Sequence, residues 1–261
     1  MRSPLTWIGG RLAEYLSQER PRGEQVGLVD PAVLAATLRP CDVLLVEGNT
    51  RISVAIKYLT QSTWSHAALY IGAALGPASG GGEAGVFIEA DVRDGVRAVP
   101  LSEYGSLHTR ICRPVGLAGE DAAAVIAYAV GHLGDRYDLK NVFDLARYLL
   151  PTPRVPARFR RRMIAFGSGD PTRAICSTLI AQAFQSVHYP ILPEISHERT
   201  GDPECADCFR DMLRIRHHSL FAPRDFDVSP YFDVVKPTIE AGFDYRALRW
   251  VDGAQVAARR P

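Results

Sequence analysis

The first half of the chain is patterned as a series of strands. After residue 41, short apolar runs alternate with turns that contain Gly, Pro or Asp, which is typical of half-buried strands. The predicted strands are DVLLVEG, SHAALYIG, VFIEA, VRAVPL and LHTRICRPV. The Asp-Gly step in DVRDG is a strong hairpin signal. Because several strands follow one another closely, with short turns, they are predicted to form an antiparallel sheet.

Helical periodicity flanks this sheet region and dominates the chain after it. Helices are predicted for residues 3–19, DPAVLAATLRP, TRISVAIKYLT, EDAAAVIAYAVGHLG, DLKNVFDLARYLL and CSTLIAQAFQSV. Asp30 is suited to cap the second of these helices, and Pro31 to occupy its first turn. Together with the sheet, the helices predict an α+β fold.

Two stretches interrupt the regular pattern and are interpreted as insertions. The first, near 151–172, is rich in Pro, then Arg, then Gly, and the second lies near 197–218. The resulting organisation is a helical extension over 1–37, a main domain over 38–237 that contains both insertions, and a C-terminal tail over 238–261.

Composition and charge narrow the class of protein. The 261 residues are 47% hydrophobic, which is ample for a packed core, and the formal net charge of +1 gives no global attraction to nucleic acid. Five scattered cysteines, an odd number in a chain of this length, do not suggest a disulfide framework. The N-terminus lacks the apolar core of an export signal, and no apolar run is long enough to span a membrane. A cytoplasmic protein, either soluble or bound at a membrane surface, is therefore expected.

Cys176 is the first candidate for chemistry. It opens the predicted helix of CSTLIAQAF, where the partial positive charge of a helix N-terminus favours a thiolate. Free cysteine is also among the most buried residue types, so this position alone fits a core cysteine as well. A nucleophilic role requires a base and a group that orients the base.

Two polar residues inside apolar strands could supply those groups. His66 heads the strand SHAALYIG, and Glu89 lies within VFIEA on the face of Phe87. A buried carboxylate is costly unless it is paired, and the predicted sheet can bring the two strands side by side. A hydrogen-bonded core histidine and a water-facing glutamate are the structural alternatives.

Two further features have weaker interpretations. Cys205 and Cys208 have CxxC spacing, but a single pair is a weak zinc signal and two free thiols in a loop are favoured. The segment 154–166 interleaves arginines with apolar residues, so it could contact an anionic membrane surface or form a solvated basic loop.

The order of these motifs resembles a known family. PCDVLLVEGNTRISVAIKYLTQSTWSHAALYIG, FIEADVRDGVRAVPL, GDRYD, ICSTLIAQAF and LFAPRDFDVSPYF follow one another over residues 38–236. This arrangement is similar to the circularly permuted papain-like amidases, the YiiX/YaeF-like branch of the bacterial NlpC-type cysteine hydrolases. In that family the histidine strand precedes the cysteine helix, as it does here. The resemblance implies an antiparallel, barrel-like sheet packed against the cysteine helix.

The resemblance also implies roles for individual residues. Cys176 matches the nucleophile, His66 the general base and Glu89 the residue that orients it. Tyr137, in GDRYD, would line the site or help to bind an oxyanion, with a packing role as the alternative, and the helix start at Ser177 would supply another oxyanion donor. No metal or cofactor is needed for such chemistry.

The expected function is therefore a cysteine hydrolase that cleaves an amide or ester through an acyl-enzyme intermediate. The substrate would be a small peptide or a lipid-type molecule, and the apolar and basic residues of 154–166 favour a lipid modestly. A lipid acyltransferase or phospholipase activity with the same cysteine and histidine is an alternative, as is a non-catalytic binding module of the same fold. An interaction protein built around a CxxC metal site is a further alternative. The sequence does not determine the oligomeric state.

Overall fold

A computed structural model describes residue 18 and residues 29–78, 82–91, 94–135, 175–199 and 209–247. These residues form a mixed α+β fold, as predicted. The helices are α1 (Pro31–Thr37), α2 (Arg51–Thr60), α3 (Gly119–Gly131), α4 (Ile175–Ser186), α5 (Pro223–Asp227) and α6 (Pro237–Glu240). The strands are β1 (Val43–Glu47), β2 (His66–Tyr70), β3 (Phe87–Asp91), β4 (Gly95–Val99), β5 (His108–Pro114), β6 (Glu194–Arg199), β7 (Phe209–Arg214) and β8 (Phe232–Val235).

Six of the strands form one antiparallel sheet in the order β4-β3-β2-β1-β5-β8. The five strands predicted from the sequence are its first five in chain order, and β8 adds one edge. Within the described ranges no ladder joins the two edge strands, β4 and β8. The sheet is therefore open within these ranges, and it lacks the barrel-like closure that the family resemblance implied.

Each face of the sheet packs against a different set of helices. On one face, Leu45 and Leu69 belong to a core that includes Val125 of α3 and Phe184 of α4. On the other face, Leu44, Ala68 and Phe87 of the sheet pack with Leu34 of α1. Alternation along the strands explains why successive residues join different cores. The cysteine helix α4 therefore lies on a single side of the sheet.

Local signals in the sequence account for the ends of several elements. The Asp30 side chain accepts a hydrogen bond from the backbone N–H of Ala32 at 2.7 Å and caps α1. Gly95 has a φ of +75° at the turn between β3 and β4, a conformation that favours glycine. These two features confirm the predicted cap and hairpin.

The segment interpreted as a second insertion contains regular structure at both ends. Strands β6 and β7 pair antiparallel and form a separate two-stranded sheet. The segment had no predicted strands, because its alternation is interrupted by charged and turn residues. The predicted helix over 3–19, apart from residue 18, and the predicted helix DLKNVFDLARYLL lie outside the described residues. None of the helices in the described part of the chain is long and apolar enough to cross a bilayer.

Candidate active site

The candidate site lies where two neighbouring strands separate. Strands β2 and β3 pair only through Leu69 with Ile88 and Tyr70 with Phe87. Their ladder therefore covers the last residues of β2 and does not extend back to His66, where β2 begins. Helix α4 packs against both strands. The backbone N–H of Ala67, in β2, hydrogen-bonds the sulfur of Cys176. The first turn of α4 is thereby brought to the place where the ladder is interrupted.

The start of β2 is fixed by the two residues that precede His66. Trp64 is buried, and its indole Nε1–H donates to Asp227 Oδ2 at the end of α5, at 3.0 Å. Ser65 is also buried, and its hydroxyl accepts a hydrogen bond from the backbone N–H of Gly48 at 2.9 Å. Since both neighbours are held by other elements, the backbone of His66 has a defined position.

His66 links the thiol to a buried carboxylate. Its Nε2–H donates to Glu89 Oε2 at 2.6 Å, and its side chain also hydrogen-bonds Cys176. Because Nε2 is occupied by Glu89, Nδ1 is the ring nitrogen left for the sulfur. The structure therefore brings the three predicted catalytic residues together in the order thiol, imidazole and carboxylate.

Burial makes these contacts effective. Cys176 is 5% exposed and Glu89 is 3% exposed, so neither contact is screened by water. The side chain of His66 is 24% exposed, which leaves the imidazole as the accessible member of the three. The alternative of a water-facing Glu89 does not agree with this burial.

The ionisation of the thiol and imidazole is coupled. Burial opposes a charge on the sulfur, but the charge and hydrogen bond of His66, with the donors Ala67 N–H and Ser177, lower the pKa of Cys176 below its usual value. Burial likewise opposes a charge on His66, yet the negative charges of Cys176 and Glu89 raise the pKa of the imidazole well above its usual value. Both shifts favour a thiolate–imidazolium pair.

Glu89 is held ionised by more than the imidazole. Burial would raise the pKa of its carboxyl, but His66, Tyr104 and Arg97 lower it to about 2. The Tyr104 hydroxyl donates to Oε2, the same oxygen that His66 uses. Arg97 donates to Oε1 through Nε at 2.8 Å and contacts the same oxygen through Nη2 at 2.7 Å. Glu89 is therefore an ionised carboxylate at neutral pH.

The other two cysteines in the described part of the chain have the opposite environment. Cys41 and Cys112 are free and fully buried. Burial and the neighbouring charge of Asp42 raise the pKa of Cys41 to about 12, and burial raises that of Cys112 as well. The contrast separates Cys176 from ordinary core cysteines, because only its surroundings favour the thiolate among these three.

The two predicted oxyanion residues have different outcomes. Ser177 is fully buried, and its hydroxyl oxygen lies 3.9 Å from Cys176 Sγ. This side chain therefore faces the sulfur and is covered from solvent, whereas its backbone N–H belongs to the first turn of α4, where N–H groups have no helical partner. Tyr137 lies outside the described residues.

The metal prediction and the membrane prediction concern other parts of the chain. Cys205, Cys208 and the segment 154–166 also lie outside the described residues. Within the described ranges, no group of His, Cys, Asp and Glu side chains is arranged to hold a metal ion.

Sequence reasoning missed Arg97 and Tyr104, the two groups that hold Glu89. The hairpin contains the signal for Arg97, because pairing of Asp91 with Gly95 places Glu89 opposite Arg97. Tyr104 follows β4 on a short 3-10 helix, Leu101–Tyr104, and nothing in its local sequence indicates the contact. In a comparison with known protein families, no family model matches the chain.

Proposed function

We propose that this protein is a cysteine hydrolase in which Cys176 is the nucleophile, His66 the general acid and base, and Glu89 the residue that orients His66. The observation that carries this proposal is the buried hydrogen-bonded chain from Cys176 through His66 to Glu89. A hydrogen-bonded base on the nucleophile, itself oriented by a third group, is the arrangement that activates a thiol.

The proposed reaction has two stages. The Cys176 thiolate attacks the substrate carbonyl, and the resulting oxyanion accepts hydrogen bonds from backbone N–H groups in the first turn of α4. The His66 imidazolium gives its proton to the leaving amine or alkoxide, and the carbon–heteroatom bond breaks to leave a thioester. His66 then takes a proton from water, whose attack on the thioester releases the acid and restores the thiolate.

The arrangement of the elements supports a permuted papain-like fold. In chain order, the histidine strand β2 and the carboxylate strand β3 precede the cysteine helix α4, as in the family that the sequence resembles. The helix packs on one face of an antiparallel sheet that contains His66 and Glu89. The family assignment is part of this proposal.

The proposed chemistry fits more than one class of substrate. The chemistry of a thiolate and an imidazolium suits either a peptide amide or a lipid ester. An acyltransferase would use the same first stage and replace water by another acceptor in the second. The lifetime of the acyl-enzyme in water distinguishes the two, because a hydrolase releases its acyl group spontaneously.

Intact-protein mass spectrometry tests the proposal directly. The protein is incubated with separate pools of acyl esters and short peptides, and the mass is followed over time. A transient increase equal to one acyl group is expected, and it should be absent from Cys176→Ala and strongly reduced in His66→Ala. The pool that labels the protein identifies the substrate class.

His132→Ala provides a control for the histidine variant. His132 lies at the end of α3, where its Nδ1 is 2.7 Å from the carbonyl oxygen of Tyr128, and no described contact joins it to Cys176. It should retain the adduct. A correctly folded protein that forms no adduct with either pool would support the non-catalytic binding module, and an adduct that persists in Cys176→Ala would exclude Cys176 as the nucleophile.

A further inference from the structure

The carboxylate of Glu89 has an unusually complete set of partners. His66 and Tyr104 donate to Oε2, while Arg97 approaches Oε1 with two nitrogens. Each oxygen therefore has two donors, and the side chain is almost fully buried. A carboxylate held from both sides cannot rotate without breaking several charge-assisted hydrogen bonds.

Arg97 reaches Glu89 from the neighbouring strand. The two residues are directly opposite each other in the β3–β4 ladder, and cross-strand partners of this kind have adjacent side chains. The Arg97 side chain is 35% exposed. Its outer side faces other acidic groups: Nη2 lies 3.2 Å from Glu103 Oε1, Nη1 lies 3.7 Å from Asp94 Oδ2, and the charge of Asp91 also acts on it.

Tyr104 reaches Glu89 from a different element. It ends the 3-10 helix that follows β4 and is 3% exposed. Its ring packs edge-on against Phe87, with centroids 5.2 Å apart. This packing fixes the ring independently of the hydroxyl, so the hydroxyl is directed at Glu89 by the core.

We propose that Arg97 and Tyr104 are positioning residues that act through Glu89 to hold the His66 imidazole against Cys176. The inference rests on the proposed function, because positioning has a purpose only if the thiol and imidazole react. Neither residue touches the sulfur in the described contacts. Their effect is instead transmitted through the orientation and charge of one carboxylate.

Formation of the Cys176 thiolate should therefore depend on pH in a way that involves Arg97. The groups that face the carboxylate and its guanidinium partner are His66 from β2, Tyr104 and Glu103 from the 3-10 helix, and Asp91 and Asp94 from the hairpin. Without Arg97, the buried carboxylate of Glu89 loses its compensating charge and protonates at higher pH. A carboxylate that has lost two of its four donors also holds the imidazole against Cys176 less firmly, so the thiolate is less stabilised and forms only at higher pH.

The test measures how fast iodoacetamide alkylates Cys176 at each pH. Trypsin releases residues 174–199, which contain Cys176 as their single cysteine, so mass spectrometry follows this thiol alone. The variants are Arg97→Leu, Arg97→Lys and Tyr104→Phe. Tyr70→Phe is the matched control, because its ring also packs on Phe87, at 5.1 Å, without a described contact to Glu89.

In Arg97→Leu, the acidic limb of the rate profile should move to higher pH by up to about one pH unit, because the lost charge acts on Cys176 only through Glu89 and His66. Arg97→Lys should restore part of the shift, because it keeps the charge and loses the second donor. Tyr104→Phe should show a smaller shift in the same direction, and Tyr70→Phe none. Far-ultraviolet circular dichroism identifies any variant that has lost its fold.

Failure of this inference can be distinguished from failure of the proposed function. If the unaltered protein has an acidic limb below the ordinary thiol pKa, and Arg97→Leu and Tyr104→Phe have the same limb, the positioning role is wrong while the reactive pair remains. If the limb of the unaltered protein lies near pH 8.5, the ordinary thiol pKa, the proposed function itself is contradicted.

Discussion

Replacing Glu89 with glutamine should change how the stability of the protein depends on acid. The pKa of the Glu89 carboxyl falls from 4.5 to about 2 on folding. Because the folded pKa is depressed, the stabilisation is fully present above the unfolded pKa of 4.5 and is lost as the pH falls through about 2. Glutamine keeps the shape of the side chain and cannot ionise, so the variant lacks this dependence.

The magnitude follows from the size of the shift. Each pKa unit corresponds to about 1.4 kcal/mol, so ionised Glu89 contributes about 3 kcal/mol at pH 5 and about 1 kcal/mol at pH 3. The difference in unfolding free energy between the unaltered protein and Glu89→Gln should therefore shrink by about 2 kcal/mol over this range. His66 stays protonated in the folded unaltered protein over this range, because its pKa is raised above the usual value. The charge that faces Glu89 is therefore constant between pH 5 and pH 3.

Urea unfolding followed by circular dichroism at several pH values measures this difference. Glu103→Gln is the control, because Glu103 contacts the same Arg97 but is 47% exposed. Its difference from the unaltered protein should be small, since exposed pairs are screened by water. A difference for Glu89→Gln that stays constant from pH 5 to pH 3 would refute the assignment of Glu89 as a buried ionised carboxylate.

Three other variants or measurements test the core around the site. Thr178 is 3% exposed, and its hydroxyl oxygen has no hydrogen-bond partner in the described part of the chain. Thr178→Val should therefore raise the free energy of unfolding by about 1 kcal/mol. A decrease would indicate an unrecognised partner. Asp42 is fully buried and accepts two hydrogen bonds from Arg113, at 2.8 and 2.7 Å. Asp42→Ala should therefore lower the free energy of unfolding, measured in urea, by about 3 kcal/mol. A loss below about 1 kcal/mol would contradict the pairing. Cys41 and Cys112 should remain unmodified by iodoacetamide at pH 9 in the native protein, because burial raises both thiol pKa values; rapid labelling detected by peptide mass spectrometry would show that the core opens.

Local signals made part of this structure predictable. The cap at Asp30, the hairpin with Gly95 and the helix that begins near Cys176 each depend on neighbouring residues only. The sequence also indicated that His66 and Glu89 could meet, because two apolar strands joined by a Gly-rich loop can pair side by side. That meeting is found at a distance of 2.6 Å.

Contacts that depend on several elements at once were not predictable in the same way. The separation of β2 from β3, which admits the first turn of α4 near Ala67, depends on where the ladder ends. The contact of Tyr104 with Glu89 depends on the packing of a 3-10 helix against Phe87. Arg97 is intermediate, since the register of the hairpin would have placed it opposite Glu89.

The most direct test of the central claim is a titration of the Cys176 thiol. The ultraviolet absorbance of thiolate is recorded against pH for the unaltered protein and for Cys176→Ser, and the second curve is subtracted from the first. Because burial is outweighed by the charge and hydrogen bond of His66, which lower the pKa of Cys176, the difference should show a thiolate step below the ordinary value of about 8.5. In His66→Ala the step should move to higher pH, since burial is then opposed only by the hydrogen bonds of Ala67 N–H and Ser177. A step at or above about 8.5 in the unaltered protein would contradict the thiolate–imidazolium pair on which the proposed function depends.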